Sequence, residues 1–278
     1  MKKGGFMKIK RAVLKVIDIE KMKNYYTSVL GMEVISIENK KVNLGINNNV
    51  ILTLVTDEGV ILKSREEANL YHIAYLLPNR EELANFLGHI IDSKTEVQGA
   101  ADHLVSEAIY MTDPEGNGIE VYADRDRDKW KYLPNGNVIM DTIPLNADEL
   151  YNLSNGEKYK LSSEAVIGHI HMQSYDVDKM TKFYKNNFLL SKTSELPDAI
   201  FLSYDGYHHH FAFNHWDYTV SEPGSENSTG LKLIEYEIDS ERFFKIKENL
   251  SNTNKIEESG NFIVINDPNN IKIKIYEE

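Results

Sequence analysis

Apolar and polar positions along the chain fall into short alternating runs, broken by turns rich in Asn, Asp and Gly, with one stretch of helical spacing in each group of runs. The first group predicts a strand over 8–17 and a helix around Tyr25 and Tyr26, opened by Asp18 and closed by Gly31. Three short strands near 32–37, 41–45 and 50–56 follow, which makes a βαβββ unit. The same unit recurs at 166–214: Asp18 returns as Asp176 and Tyr26 as Tyr184, both 158 positions on. Its strands are expected near 190–195, 199–204 and 209–213. A second pair is interleaved with the first. A strand over 71–77, a helix over 80–91 and a hairpin over 101–125 are echoed by 231–238, 240–250, 262–265 and 271–276, with Asp267-Pro268 matching Asp113-Pro114.

The chain therefore divides into four βαβββ modules, 9–56 and 70–124 in the first half, 166–214 and 231–277 in the second. A linker over 125–165 joins the halves, with a short helix expected near 147–153. The fold class is α+β. One module has a single apolar sheet face and one small helix, too little to bury a core alone. Modules are expected to pair, each pair forming an eight-stranded, incompletely closed barrel.

Composition narrows the function classes. At 278 residues, 41% hydrophobic and 27% charged, the chain reads as globular. Lys and Arg number 31 against 43 Asp and Glu, a net charge of -12 that disfavours a nucleic-acid partner and favours a small molecule or a protein. No run reaches the roughly 20 apolar residues of a membrane span, and the start of the sequence lacks the apolar core of a signal peptide. Cysteine is absent, which removes disulfides, thiolate nucleophiles and Cys-ligated zinc, and fits a reducing cytoplasm. Any metal must then be held by His, Asp, Glu or Tyr.

Candidate chemistry concentrates in the hairpin ADHLVSEAIYMTDPEGNGIEVYADR, residues 101–125. Asp113-Pro114-Glu115-Gly116-Asn117-Gly118 is dense turn chemistry. Glu120 lies between Ile119 and Val121, and alternation turns it to the face opposite both. Read alone, Glu120 is equally a solvent-facing residue on a half-exposed strand; a buried carboxylate would need a partner or a metal. Among the nine His, His89 falls within a helix and takes no role. His72 opens a strand, where a hydrogen-bonded edge residue is the plain alternative. His169 and His171 are two apart on one strand and share a face.

The hairpin, with His103 and Tyr110 ahead of Glu120, resembles the metal-bearing hairpin of type I extradiol dioxygenases. Those enzymes belong to the vicinal-oxygen-chelate (glyoxalase/bleomycin-resistance/extradiol dioxygenase) superfamily, and the likeness is greatest to its two-domain catechol 2,3-dioxygenase-like members. The resemblance implies three iron ligands, His72, Glu120 and His169, the last lying fifteen residues before Tyr184. His171 stays open as a supporting or alternative ligand. The run Tyr207-His208-His209-His210-Phe211-Ala212-Phe213 resembles the family's His-His-x-x-Ala-Phe strand, which assigns the acid/base role to His209 and, by alternation, sends His208 and His210 to the other face. His103 and Tyr110 match positions that hydrogen-bond substrate oxygens. Fe(II) is the implied cofactor, with Mn, Zn or Ni as alternatives; O₂ and a small aromatic diol are the implied partners, and a homo-oligomer is compatible.

Position then constrains pairing. In the first module the place of His169 is taken by Arg11, which cannot ligate, and in the fourth the places of His72 and Glu120 fall on or near Lys232 and Lys274. A complete ligand set needs modules 70–124 and 166–214 to share one barrel. Three readings follow: an extradiol dioxygenase, a glyoxalase- or thiol-transferase-like metalloenzyme, and a metal-free protein that sequesters aromatic ligands in a groove to which Trp130, Tyr132 and Trp216 could contribute.

Overall fold

The computed structural model describes residues 7–253 and 256–278. The first module comprises β1 (Met7–Lys15), α1 (Ile19–Ser28), β2 (Glu33–Glu38), β3 (Lys41–Ile46) and β4 (Asn49–Val55). The second comprises β5 (Leu70–Leu77), α2 (Arg80–Asp92), β6 (Gly99–Asp102), β7 (Ser106–Thr112) and β8 (Gly118–Asp124). A short helix, α3 (Ala147–Tyr151), lies in the segment between the halves. The third module holds β9 (Val166–Gln173), α4 (Val177–Phe188), β10 (Ser191–Leu196), β11 (Ala199–Ser203) and β12 (Phe211–Asn214). The fourth holds β13 (Gly230–Ile238), α5 (Ser240–Thr253), β14 (Glu257–Ser259), β15 (Phe262–Asn266) and β16 (Lys272–Glu277). The protein is α+β and dominated by sheet.

Helix starts follow the expected cap chemistry. Asp18, Asn79 and Asp176 each accept a hydrogen bond at 2.9 Å from the backbone N–H three residues on, of Lys21, Glu82 and Lys179. Helix α1 ends earlier than Gly31: Val29 is its cap, and Gly31 at φ +70° instead turns the chain toward β2.

Within every module the first strand lies parallel to the last, and the others add antiparallel to that last strand. Between modules, β5 pairs antiparallel with β9, and β1 pairs antiparallel with β13. Two runs of eight result, β6-β7-β8-β5-β9-β12-β11-β10 and β2-β3-β4-β1-β13-β16-β15-β14. A bridge between Ile9 and Ile167 joins them into a continuous sheet. Among the described residues no ladder links the outer strands of either run, so neither closes into a barrel.

Modules adjacent in sequence are tied differently. The buried phenol of Tyr26 in α1 donates to Asp113 at 2.9 Å in the second module's turn, and that of Tyr184 in α4 donates to Asp267 at 3.0 Å in the fourth. Asp113 also takes the N–H groups of Glu115 and Asn117, each at 2.9 Å. The turn motif thus anchors a neighbouring helix and aims β8, which carries Glu120. Burial pushes the Asp267 carboxyl up to about 7. Among the described residues, no helix is long and apolar enough to cross a membrane.

Candidate metal centre and its cavity

The seam between β5 and β9 decides which side chains meet. Ala74 on β5 stands opposite Glu120 on β8 and also opposite His169 on β9. Its methyl group leaves the space above it free for both, and His72 enters from two residues back on the same strand. His72 Nε2 lies 2.9 Å from Glu120 Oε2, His169 Nε2 lies 3.1 Å from the same oxygen, and the two Nε2 atoms are 3.3 Å apart. All three residues are buried.

This triangle fits a cation. Bonds of about 2.1 Å at right angles separate neighbouring ligand atoms by about 3.0 Å, whereas tetrahedral angles would require about 3.4 Å. The observed edges scatter around the first value. Burial drives His169 toward the neutral imidazole, down to about 4 and against the pull of Glu120. A neutral ring has the lone pair that a metal needs. Burial also opposes the charge on Glu120, but His169 and His72 outweigh it and hold its carboxyl well below the usual range. His169 Nδ1 is buried with no hydrogen-bond partner among the described residues, and its Nε2 faces the Glu120 carboxylate. An ionised carboxylate between a neutral His169 and the His72 ring can take a divalent charge among the three donor atoms.

The triangle opens onto a cavity of about 240 Å³. Tyr110 stands directly across the β7–β8 ladder from Glu120. Its phenol is raised well above the ordinary range by burial and then by the Glu120 carboxylate, so it stays protonated. His103 Nδ1 lies 2.8 Å from the Asp141 carbonyl, which can only accept, so Nδ1 carries the proton. In the neutral ring Nε2 must then accept, and it takes the Tyr110 hydroxyl proton at 2.6 Å. The linker residues Met140, Asp141 and Thr142 form part of the wall.

His171 also lines the cavity, but its Nε2 is occupied at 2.9 Å by the Asn214 amide, and its ring packs edge-on against His72 and Trp216. Burial lowers it well below the ordinary imidazole range. Trp216 reaches the mouth, whereas Trp130 and Tyr132 are not among the lining residues. Trp130 is buried behind the site, against Tyr207 and His208, and Tyr132 is exposed.

The histidine run departs from the expected strand. β12 begins at Phe211, and Asp205 and Gly206 at φ +54° and +66° turn the chain just before the three His. Alternation does not apply to a bend, so His208 does not face away from His209. His208 Nδ1 sits 2.7 Å from His209 Nδ1, and both rings approach His169. His169, His208 and His209 form a second cluster of ring nitrogens within 4.8 Å of one another. Only His210 leaves the site, meeting Ser203 Oγ at 2.8 Å. Asp124, at the end of β8, meets His208 Nε2 at 3.1 Å. No feature of the sequence near Asp124 marks it for that contact, which spans 84 positions.

Two sheet halves meet over a buried set of two imidazoles and one carboxylate, a candidate metal centre between paired βαβββ modules. Residues 8–121 match the profile of the Glyoxalase/Bleomycin resistance protein/Dioxygenase superfamily. A catechol-2,3-dioxygenase of Bacillus subtilis (strain 168) is 34% identical over 225 residues, 79% of this chain and 79% of that protein. The chain belongs to this superfamily, also called vicinal-oxygen-chelate, and is one of its enzymes. Solved structures agree on the fold. A putative dioxygenase of Bacillus subtilis has a TM-score of 0.66 at 12% identity, covering 97% of this chain and 84% of that one. Glyoxalase I of Zea mays has a TM-score of 0.57 at 14% identity, covering 98% and 93%.

Proposed function

We propose that the protein is an extradiol ring-cleaving dioxygenase that opens small catechols with O₂, using Fe(II) held by His72, Glu120 and His169. The carrying observation is the three-atom triangle beside an open cavity, whose donors would hold the ion from one side. Fe(II) supplies the redox step between a catechol and O₂, with both oxygen atoms entering the ring-opened product. The protein's part is binding, orientation and proton handling. Tyr110 and His103 form one donor–acceptor pair against a substrate oxygen, and His209 is the acid/base on the opposite wall.

Cavity size and charge narrow the substrate. About 240 Å³ lies below the roughly 300–1,000 Å³ of sites for drug-sized ligands. Its lining includes Phe201, Leu196, Met140 and Trp216, has Asp141 at the rim, and among the described residues contains no Lys or Arg. A single ring with a short, uncharged substituent suits it; a carboxylated side chain would find no counter-charge. Zero cysteine suits a reducing compartment, and a cytoplasmic location is proposed on that ground.

A four-ligand glyoxalase-type site has less support, because His171, the candidate fourth ligand, has Nε2 bonded to Asn214. A metal-free aromatic-binding groove would leave a buried carboxylate and two buried imidazoles at its base, at a cost in desolvation. The test is anaerobic loading with Fe(II), then catechol and air. Appearance of the yellow ring-cleavage product, greater for methylcatechols than for dihydroxyphenylacetate, is expected. Stoichiometric zinc or nickel without iron in protein purified anaerobically, together with no yellow product, would end the reading.

A further inference from the structure

We infer that Asp124 and His208 are positioning residues, which lock His209 in the tautomer that presents a bare Nε2 to the cavity. The chain of partners allows one proton order. The Asp124 carboxylate can only accept, so the His208 Nε2 at 3.1 Å carries a proton. A His208 ring that carries this one proton has a lone pair at Nδ1. That atom lies 2.7 Å from His209 Nδ1, and a hydrogen bond between them requires the proton on His209. His209 Nε2 is then unprotonated. Among the described residues it has no hydrogen-bond partner, and the ring lines the cavity beside His169.

The surroundings fix each member of this series. Asp124 Oδ2 accepts from Tyr207 at 2.9 Å, so Tyr207 must in turn accept from Tyr122, also at 2.9 Å. The Tyr122 hydroxyl occupies the space that a Cβ on Gly168 would need, 1.8 Å away, so the residue before His169 is free of a side chain where the network passes. The His208 ring is 1% exposed, packed between Tyr207 and Trp130, and its carbonyl takes the Thr193 hydroxyl at 2.5 Å. A bare Nε2 can take a proton from a catechol hydroxyl; the other tautomer would turn an N–H toward it.

Asp124→Asn reverses the order. Its amide oxygen can keep the Tyr207 bond while its NH₂ donates to His208 Nε2, so His208 Nδ1 becomes the donor and His209 keeps its proton on Nε2. The inference rests on the proposed oxygenase reading only for what His209 acts upon; the tautomer is read without turnover. Two-bond ¹H–¹⁵N spectra of the full chain, metal-free and again with diamagnetic Zn(II), are expected to show His209 protonated at Nδ1. Asp124→Asn should move that proton to Nε2, and Tyr207→Phe should leave it at Nδ1. In the cleavage assay Asp124→Asn should lower kcat about 10²–10⁴-fold with KM and metal content nearly unchanged. Wild-type His209 protonated at Nε2 overturns the inference, as does an Asp124→Asn protein that folds with its tautomer unmoved or loses metal along with kcat. If Asp124→Asn does not fold, the wild-type spectrum decides alone. A correct tautomer without ring cleavage would instead fault the proposed reaction.

Discussion

The two module pairs share one strand order and differ at one point of contact. Over the β5–β9 seam, Ala74 lies between Glu120 and His169. Over the β1–β13 seam, Glu235 holds that place, between Lys274 on β16 and Arg11 on β1. Arg11 bonds Glu235 at 2.9 Å, with Lys274 4.0 Å away and the Tyr276 hydroxyl 3.3 Å away. One site has a surplus of electron pairs and an open space. The other sets its own cations and the acid that neutralises them at the same position, beside a cavity of about 280 Å³ lined by Arg11 and Glu235. By strand register the counterpart of His72 is the apolar Leu233, one residue past Lys232. The difference teaches that an internal repeat can keep its architecture while one copy carries a candidate metal centre and the other an ion-pair cluster, two answers to the same buried-charge problem.

The strongest way to break this comparison is to remove one donor. Glu120→Ala should abolish stoichiometric metal in mass spectrometry and lower ring cleavage on the order of 10³-fold or more; retained metal would mean that His169, His208 and His209 hold it instead. In the other pair, Glu235→Ala leaves Arg11 and Lys274 without their shared acid. It should cost about 3 kcal/mol in urea unfolding while metal content stays unchanged. A metal loss there would show that the two pairs are coupled.

A pH series sharpens the contrast further. His169 has a folded-state value of about 4, below the ordinary 6.5 of an unfolded chain. Between those values the unfolded state holds more protons, so metal-free stability is present above about 6.5 and is lost as pH falls toward 4. His169 alone should cost about 2 kcal/mol between pH 7 and pH 5. His210, at about 3, and the lowered His171 and His209 add to it. Asp267, pushed up to about 7, works in the opposite sense. A urea midpoint that does not fall with pH would contradict neutral buried rings. Smallest of all, Tyr26→Phe and Tyr184→Phe should each cost about 1–2 kcal/mol, nearly equally, since both remove one hydrogen bond to a buried Asp.

Much of the site was legible because ligand chemistry is local in type. His72, Glu120 and His169 are residues of the right kind at family-like spacings, and the structure brings them within 3.3 Å. The same holds for Tyr110 and His103, which touch each other. What failed was alternation across His208–His210, because a rule of strand geometry was applied to a turn. Asp124 was passed over, since nothing nearby in the chain reveals that a residue ending β8 will meet one preceding β12.

Four repeated modules, their helix caps and the absence of thiol chemistry are properties of the chain itself, because periodicity, capping and composition act within a few residues. The choice of which modules share a seam is different in kind. It depends on strands nearly a hundred residues apart coming into register, so that a small Ala74 lies opposite both Glu120 and His169. Tertiary packing alone makes that selection, and the same packing buries the three donor atoms around one point.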